Sequence, residues 1–198
     1  MRDPHFKIHV VSQDDFLGKF VIEPLEQGFG HTLGNSLRRV LLTSLEGAGI
    51  TTVKIEGVKH QFSTIAGMKE DVLELILNIK KLKLSFFSEK PMIIRLSVRG
   101  QKEVKASDIE TSADVEIVNK DLHLASLSGP KAKLEMEMTV EKGYGYSLAE
   151  ERKISTIGVI PIDVIFTPVT RVNYKVEATR VGQLTDLDKL ILEVTTDG

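Results

Sequence analysis

The apolar residues of this chain follow two different periods, and the places where the period changes outline its elements. From about Gly34 to Glu46 the spacing is helical. At ~100° per residue, Leu33, Leu37, Val40, Leu41 and Leu45 share one face, and Phe29 leads into it from a stretch punctuated by Gly28, Gly30 and Gly34. Arg39 projects almost opposite, beside Asn35 and Leu42, so a guanidinium stands next to an apolar side chain on what would otherwise be a plain solvated surface. Gly47 and Gly49 end that helix. A second helix, from roughly Met68 to Lys81, repeats the design: Met68, Val72, Leu75, Ile76 and Ile79 line one face, while Lys80 lies off it near Leu73 and Leu77.

Elsewhere the period is two. Phe6 to Val11, Gly18 to Glu23, Thr51 to Gly57, Ile93 to Val98 and Asp114 to Val118 read as strands. Leu134, Met136, Met138 and Val140 share one side of a further strand, and Glu135, Glu137 and Thr139 share the other, the alternation of a half-buried antiparallel sheet. Gly143-Tyr-Gly-Tyr146 makes a turn or open loop, Ala149 to Lys153 is a charged surface segment, and Ile160 to Phe166 returns as one apolar strand before Pro168 interrupts it. Val172, Tyr174, Val176 and Ala178 alternate in the next, and Leu190, Leu192 and Val194 belong to the last. Two helices among many strands, with no internal repeat or low-complexity linker, predict an α+β chain.

Each feature has a plain structural account. The glycines permit a tight turn with positive φ, Thr32 caps the helix, Arg39 is an ordinary exposed arginine, and the stem of Lys80 covers apolar surface by snorkelling. The functional account makes the two-faced helices recognition surfaces. Helical pattern alone leaves both open.

Composition narrows the class. With 198 residues and 41% hydrophobic content, the chain can bury one sizeable core or two small ones. The absence of cysteine excludes disulfides and Cys-based zinc or iron-sulfur sites and is compatible with a reducing, cytoplasmic setting. No apolar run approaches the ~20 residues of a membrane span, and an amino terminus with Asp3, His5, Asp14 and Asp15 lacks the shape of a secretory signal. The net charge is −2 with a pI near 6.2, and the cations are scattered among the acids. Direct nucleic-acid contact is therefore not expected, because affinity for phosphates needs clustered cations. The densest cluster, Lys80-Lys-Leu-Lys83, reads as a solvated helix end.

Catalytic and cofactor signatures fail on spacing. Gly28 and Gly30 begin a G-x-G, but position 33 is Leu and no Lys-Ser or Lys-Thr follows Gly34, so neither the dinucleotide nor the P-loop fingerprint is met. His5, His9, His31, His60 and His123 include no helical pair at metal-ligand spacing, and His5 and His9 on one strand face would stand ~13 Å apart. Asp186 and Asp188 form a D-x-D pair, but with Lys189 and an apolar run behind them they read as strand-entry residues rather than magnesium ligands. No nucleophile sits in a recognisable elbow.

The literal sequence adds what the periodicity cannot. The stretch Glu23-Pro-Leu-Glu-Gln-Gly-Phe-Gly-His-Thr-Leu-Gly-Asn-Ser-Leu-Arg-Arg-Val-Leu-Leu42 closely resembles the signature of the amino-terminal domain of the bacterial DNA-directed RNA polymerase alpha subunit. Glu70-Asp-Val-Leu-Glu-Leu-Ile-Leu-Asn-Ile-Lys80, Asp114-Val-Glu-Ile-Val118 and Thr185-Asp-Leu-Asp-Lys-Leu190 resemble further family motifs in the family's order, from about Phe20 to Gly198; the residues before Phe20 match only loosely.

The resemblance implies a discontinuous dimerisation domain of mixed sheet plus helix, residues 1–46 and 174–198, interrupted by an inserted, mostly β domain, residues 47–173. It implies a homodimer whose interface uses Phe29, Leu33, Leu37, Val40 and Leu41. It also implies binding to the two large subunits, beta and beta-prime, through Arg39 with Asn35 and Leu42, and through Lys80 with Asp163, Pro168 and Arg171. No catalytic, metal or cofactor residue is implied here; magnesium is expected only on the large catalytic subunit of the nucleotidyltransferase, which is cytoplasmic and reaches the bacterial nucleoid through the assembled enzyme. Full-length members continue past the position of Thr195-Thr-Asp-Gly198 into a helix that packs across the dimer interface and through a linker into a DNA-binding domain, so promoter contact is not attributed to these residues. Two readings from different classes follow: an assembly scaffold, or a small-molecule or phosphate-binding enzyme using the glycine-rich loop 28–34. Wide apolar patches edged by Arg or Lys would mark the first and one deep polar pocket the second.

Overall fold

A computed structural model describes residues 6–152, 156–182 and 184–197. In chain order it contains β1 (Lys7–Gln13), β2 (Leu17–Glu26), α1 (Phe29–Thr43), β3 (Glu46–Ile55), α2 (Val72–Ile79), β4 (Leu84–Phe86), β5 (Met92–Arg99), β6 (Lys102–Lys105), β7 (Ile109–Glu110), β8 (Val115–Ile117), β9 (His123–Leu127), β10 (Lys133–Tyr144), β11 (Tyr146–Ser147), β12 (Val159–Pro161), β13 (Val164–Ile165), β14 (Val169–Val181) and β15 (Leu184–Thr196). The chain divides into two compact units, one formed by Met1–Leu45 with Thr167–Gly198 and the other by Glu46–Phe166. The α+β class follows directly from this inventory. The return crossing lies at Thr167, and the expected boundary at Asn173 falls inside β14, whose long pairing with β15 keeps the whole strand in the first unit.

The first unit is a four-stranded antiparallel sheet, β1-β2-β15-β14, with α1 on one face. Ile22, Leu25, Leu190, Leu192, Val169 and Val172 form its buried core, and Leu33, Leu37, Leu41, Leu42 and Leu45 pack against it. The other face is a charged ladder, with Lys19–Glu193 at 2.9 Å and Glu177 held by Lys175 at 2.8 Å and Lys189 at 2.7 Å. α1 starts earlier than the leucine pattern suggests, because Gly28 takes a left-handed conformation at φ 79° and turns the chain into the helix at Phe29. Thr32 therefore lies within the first turn and is not its cap. The nearest partner comes from far away in sequence: Asp188 on β15 accepts the Gly30 amide at 3.0 Å, placing a carboxylate at the positive end of the helix. Gly30 and Gly34 are buried because the helix meets the sheet closely; a Cβ at Gly34 would stand 2.6 Å from the Tyr174 ring.

The second unit is built on a five-stranded sheet, β12-β3-β10-β5-β7, with two-stranded ladders β11-β13, β4-β8 and β6-β9. Leu134, Met136, Met138 and Val140 are all buried, as alternation predicts, and meet Val53, Ile55, Ile94 and Leu96 from neighbouring strands. Gly47 and Gly49, expected to end a helix, lie within β3. α2 is shorter than its pattern, because Asp71 caps it by accepting the Glu74 amide at 2.7 Å; Val72, Leu75, Ile76 and Ile79 face the core. The apolar run Ile160 to Phe166 is not one strand but two, β12 pairing with β3 and β13 with β11. Between them Ile162 donates its amide to Thr51. Both ends of the unit meet at one place: Glu46 pairs with Tyr144, and Phe166 donates its amide to Gly145 O at 2.8 Å.

Candidate functional site

In the first unit α1 presents three arcs. Leu37 and Leu41, with Gly30 and Gly34, face the sheet. Phe29 and Val40, eleven positions apart and so on one stripe, remain 50% and 52% exposed. Asn35 and Arg39 form the third arc and are exposed. Among the described residues the Arg39 guanidinium has no ion pair or hydrogen bond; only its carbonyl is used, by Thr43 Oγ1 at 2.7 Å. The five residues expected at a two-fold interface are thus divided, since Leu33, Leu37 and Leu41 are committed to their own sheet and Phe29 and Val40 are open. Leu42, expected beside Arg39 on the outer surface, is also half-buried against the core.

The sheet adds a second apolar strip. Ile8 pairs with Ile22 and Val10 with Phe20, so they share the face that α1 occupies. α1 lies over β14 and β15, and Ile8 and Val10 stay 59% and 58% exposed.

In the second unit α2 carries Leu73 and Leu77 outward, 38% and 50% exposed, in line with Lys80 at its end. Lys80 neither floats in solvent nor merely snorkels: its Nζ pairs with Asp163 Oδ2 at 3.3 Å. Asp163 Oδ1 accepts the Ala149 amide at 2.8 Å, and that bond, with the Lys80 charge, holds the carboxyl below the usual carboxylate range. An open groove of about 590 Å³ runs here between Leu73, Leu77 and Lys80 on one side and Ala149, Pro161 and Asp163 on the other. Pro168 and Arg171, expected alongside Lys80 and Asp163, belong to the first unit, where Pro168 O accepts the Asp197 amide at 3.0 Å and Arg171 is exposed on β14.

Two arrangements carried no sequence signal. Arg152 donates to Thr51 O at 3.2 Å, to Ile162 O and to Ser147 Oγ at 2.8 Å, tying the segment around it to β3. His123 stands between Glu70 at 3.0 Å and Glu103 at 3.1 Å. Burial works against the ionised form of Glu70, but the bonds from the Ser126 amide and His123 outweigh it, and its carboxyl sits below the ordinary range. Of the other histidines, His9 is exposed on β1, His31 meets the Tyr174 ring edge-on at 6.3 Å, His60 bonds Ser63 and His5 lies outside the described residues, as does Lys153. Among the described residues no helix is long and apolar enough to cross a membrane.

Residues 53–167, nearly the whole second unit, match the profile of the RNA polymerase Rpb3/RpoA insert domain. The chain belongs to the RNA polymerase alpha-subunit family. It is 55% identical over 192 residues to the DNA-directed RNA polymerase subunit alpha of Roseiflexus sp. (strain RS-1), covering 97% of this chain and 59% of the relative. The subunit of the same description from Symbiobacterium thermophilum is 54% identical over all of this chain and 63% of its own length, and that of Syntrophomonas wolfei 60% identical over 91% and 58%. The chain thus spans about three fifths of the length of these alpha subunits. The family's insert is the unit that carries α2, Lys80 and Asp163, while Arg39 and the open α1 stripe lie in the unit it interrupts.

Proposed function

We propose that this chain is a non-catalytic assembly scaffold of DNA-directed RNA polymerase. Two copies associate through the first unit, and the dimer gathers the two large subunits, beta and beta-prime, supplying no reacting group of its own. The observation that carries the reading is the division of α1 into a core face, an open apolar stripe of Phe29 and Val40, and an Arg39 guanidinium, unpaired among the described residues, on a third arc. A helix that only had to complete its own domain would bury its apolar stripe and leave a polar outer surface. The open stripe, with Ile8 and Val10 on the same side of the sheet, suits a second copy presenting the same patch. Arg39 suits a large-subunit contact, because a guanidinium fork can pair with carboxylates or carbonyls while its stem packs on apolar atoms. Lys80 and Asp163 beside Leu73 and Leu77 form the corresponding surface of the insert.

The phosphate-binding alternative loses its main support at the helix start. The Gly30 amide is already given to Asp188, which sets a negative charge where a phosphate would sit, and Gly30 and Gly34 are occupied by close packing.

The test is co-elution of this chain, wild type and Arg39→Ala, with beta and beta-prime on size exclusion with light scattering. A complex holding two copies of the chain, lost or weakened about 10- to 100-fold by Arg39→Ala with an unchanged circular dichroism spectrum, is expected. Normal binding by the mutant would remove Arg39 from the interface; no binding by wild type would sink the scaffold.

A further inference from the structure

The groove on the insert has two walls of different build, and Lys59, His60, Gln61 and Phe62 complete its lining. One is a regular helix, α2, with Leu73, Leu77 and Lys80 spaced along its outer side. The other is made of Ala149, Glu150 and Val159 to Asp163, within the stretches Tyr146–Arg152 and Val159–Ile165, which have little ladder of their own: β11 pairs with β13 over two residues and β12 with β3 over three. Side chains supply what the ladder lacks. Asp163 Oδ1 holds the Ala149 amide at the start of the short 3-10 turn Ala149–Glu151, and the turn is closed by Arg152, whose amide returns to Ala149 O at 3.1 Å. The Arg152 guanidinium reaches three acceptors, Thr51 O, Ile162 O and Ser147 Oγ, so one planar fork ties both stretches of this wall to β3. Across the groove Lys80 Nζ reaches the remaining Asp163 oxygen and joins the wall to the helix.

Resting on the scaffold reading, and taking the insert surface as the one that meets beta-prime, we propose that Lys80 and Arg152 are positioning residues of that contact. Lys80 acts through Asp163 by pinning the wall of residues 149–150 and 159–163 against α2, rather than by offering a free charge to the partner. A lysine already paired, one third exposed, with a partner carboxylate that is itself bonded to a backbone amide, is a strut. Arg152 fixes the same wall from behind, with no need to touch the partner. Both make the groove a preformed surface, which lowers the ordering cost of docking.

A double-mutant cycle separates a strut from a direct charge. Lys80→Ala, Asp163→Asn and the double variant are compared for beta-prime binding in the assembled complex, with melting temperature alongside. Asn at 163 can still accept from Ala149 but loses the ion pair. Lys80→Ala is expected to weaken binding about 5- to 10-fold in the wild-type background and less than about 2-fold in the Asp163→Asn background, since the strut is already gone. Lys80→Arg, which can still reach Asp163, restores binding to within about 3-fold. Equal losses in both backgrounds would overturn the proposal, as would a gain on Asp163→Asn, the mark of a lysine freed to meet the partner. Amide exchange in the free chain is read separately: Lys80→Ala and Arg152→Lys should each speed exchange at Ala149 several-fold, and unchanged exchange there defeats the pinning whether or not beta-prime binds. If wild type fails to bind while exchange responds, the beta-prime role falls with the scaffold reading and the strut remains.

Discussion

Gly34→Ala sets two quantities against each other, and the structure decides which wins. In an isolated helix the change is favourable by about 1 kcal/mol, because alanine removes the backbone freedom of glycine. Here the new methyl would stand 2.6 Å from Cδ2 of Tyr174 and 2.9 Å from both Cε2 and Cγ. These atoms belong to the near side of a rigid ring on β14, whose edge contact with His31 at 6.3 Å would also shift. To regain ordinary contact the ring and helix must separate by about 1 Å. Overpacking of this kind costs about 1–3 kcal/mol, which exceeds the propensity gain, so a net loss of about 1 to 2 kcal/mol is expected. Urea denaturation followed by far-ultraviolet circular dichroism measures it. Gly129→Ala is the control, since an added Cβ there meets nothing within 4 Å, and it should be neutral or slightly stabilising. A Gly34→Ala protein as stable as wild type would refute the close approach of α1 to the sheet.

Other outcomes follow from the same geometry. Asp188→Ala should destabilise the first unit by about 1 kcal/mol, and Asp188→Asn by less, because the amide oxygen keeps the Gly30 bond and loses only the charge; an Asp188→Asn midpoint equal to that of wild type would remove the electrostatic part. Leu190 is fully buried in the core of that unit, so Leu190→Ala should lower stability by about 2–5 kcal/mol in the same assay, and a smaller loss would mean the site collapses around the cavity. The Glu177 carboxyl, bonded first by Lys175 and then by Lys189, is lowered to about 2. Because its folded form is depressed, its contribution is complete above the ordinary value of ~4.3 and is lost as pH falls toward 2. Carbon-detected titration should show Glu177 still ionised at pH 3, and Lys175→Ala should move its midpoint upward; an ordinary midpoint in wild type would discredit the ladder.

What could be read from sequence was what is local. The buried side of α2 follows from the spacing of Val72, Leu75, Ile76 and Ile79, because four positions within two turns share a face whatever surrounds them. The alternation from Leu134 to Val140 was legible for the same reason. The start of α1 was not, since Gly30 and Gly34 read as loop residues until Tyr174, Val176 and Asp188 are brought against them from the other end of the chain. The break between Ile160 and Phe166 is equally invisible in a run of apolar residues; it depends on Thr51, which accepts the Ile162 amide. At the site, periodicity singled out Arg39 and Lys80 as cations out of place, but it could not tell an unpaired guanidinium from an ammonium with a partner at 3.3 Å. For Leu33, Leu37 and Leu41 the helical projection shows an apolar face without saying whose surface fills it, and in the structure they pack on their own sheet.

The meeting of both ends of the insert at Tyr144 and Gly145 bears on the order in which the molecule comes together. In the first unit β2 must find β15 across the whole intervening chain, and closing a loop of roughly 160 flexible residues costs about 4.5 kcal/mol in chain entropy. Once the insert has folded on its own core, Glu46 and Phe166 are already neighbours, and the chain that separates β2 from β15 shrinks to fewer than twenty residues on either side, α1 on one and β14 on the other. The insert then acts on its host as a long-range crosslink made only of noncovalent contacts, and melting it would slow the refolding of a sheet to which it contributes no strand.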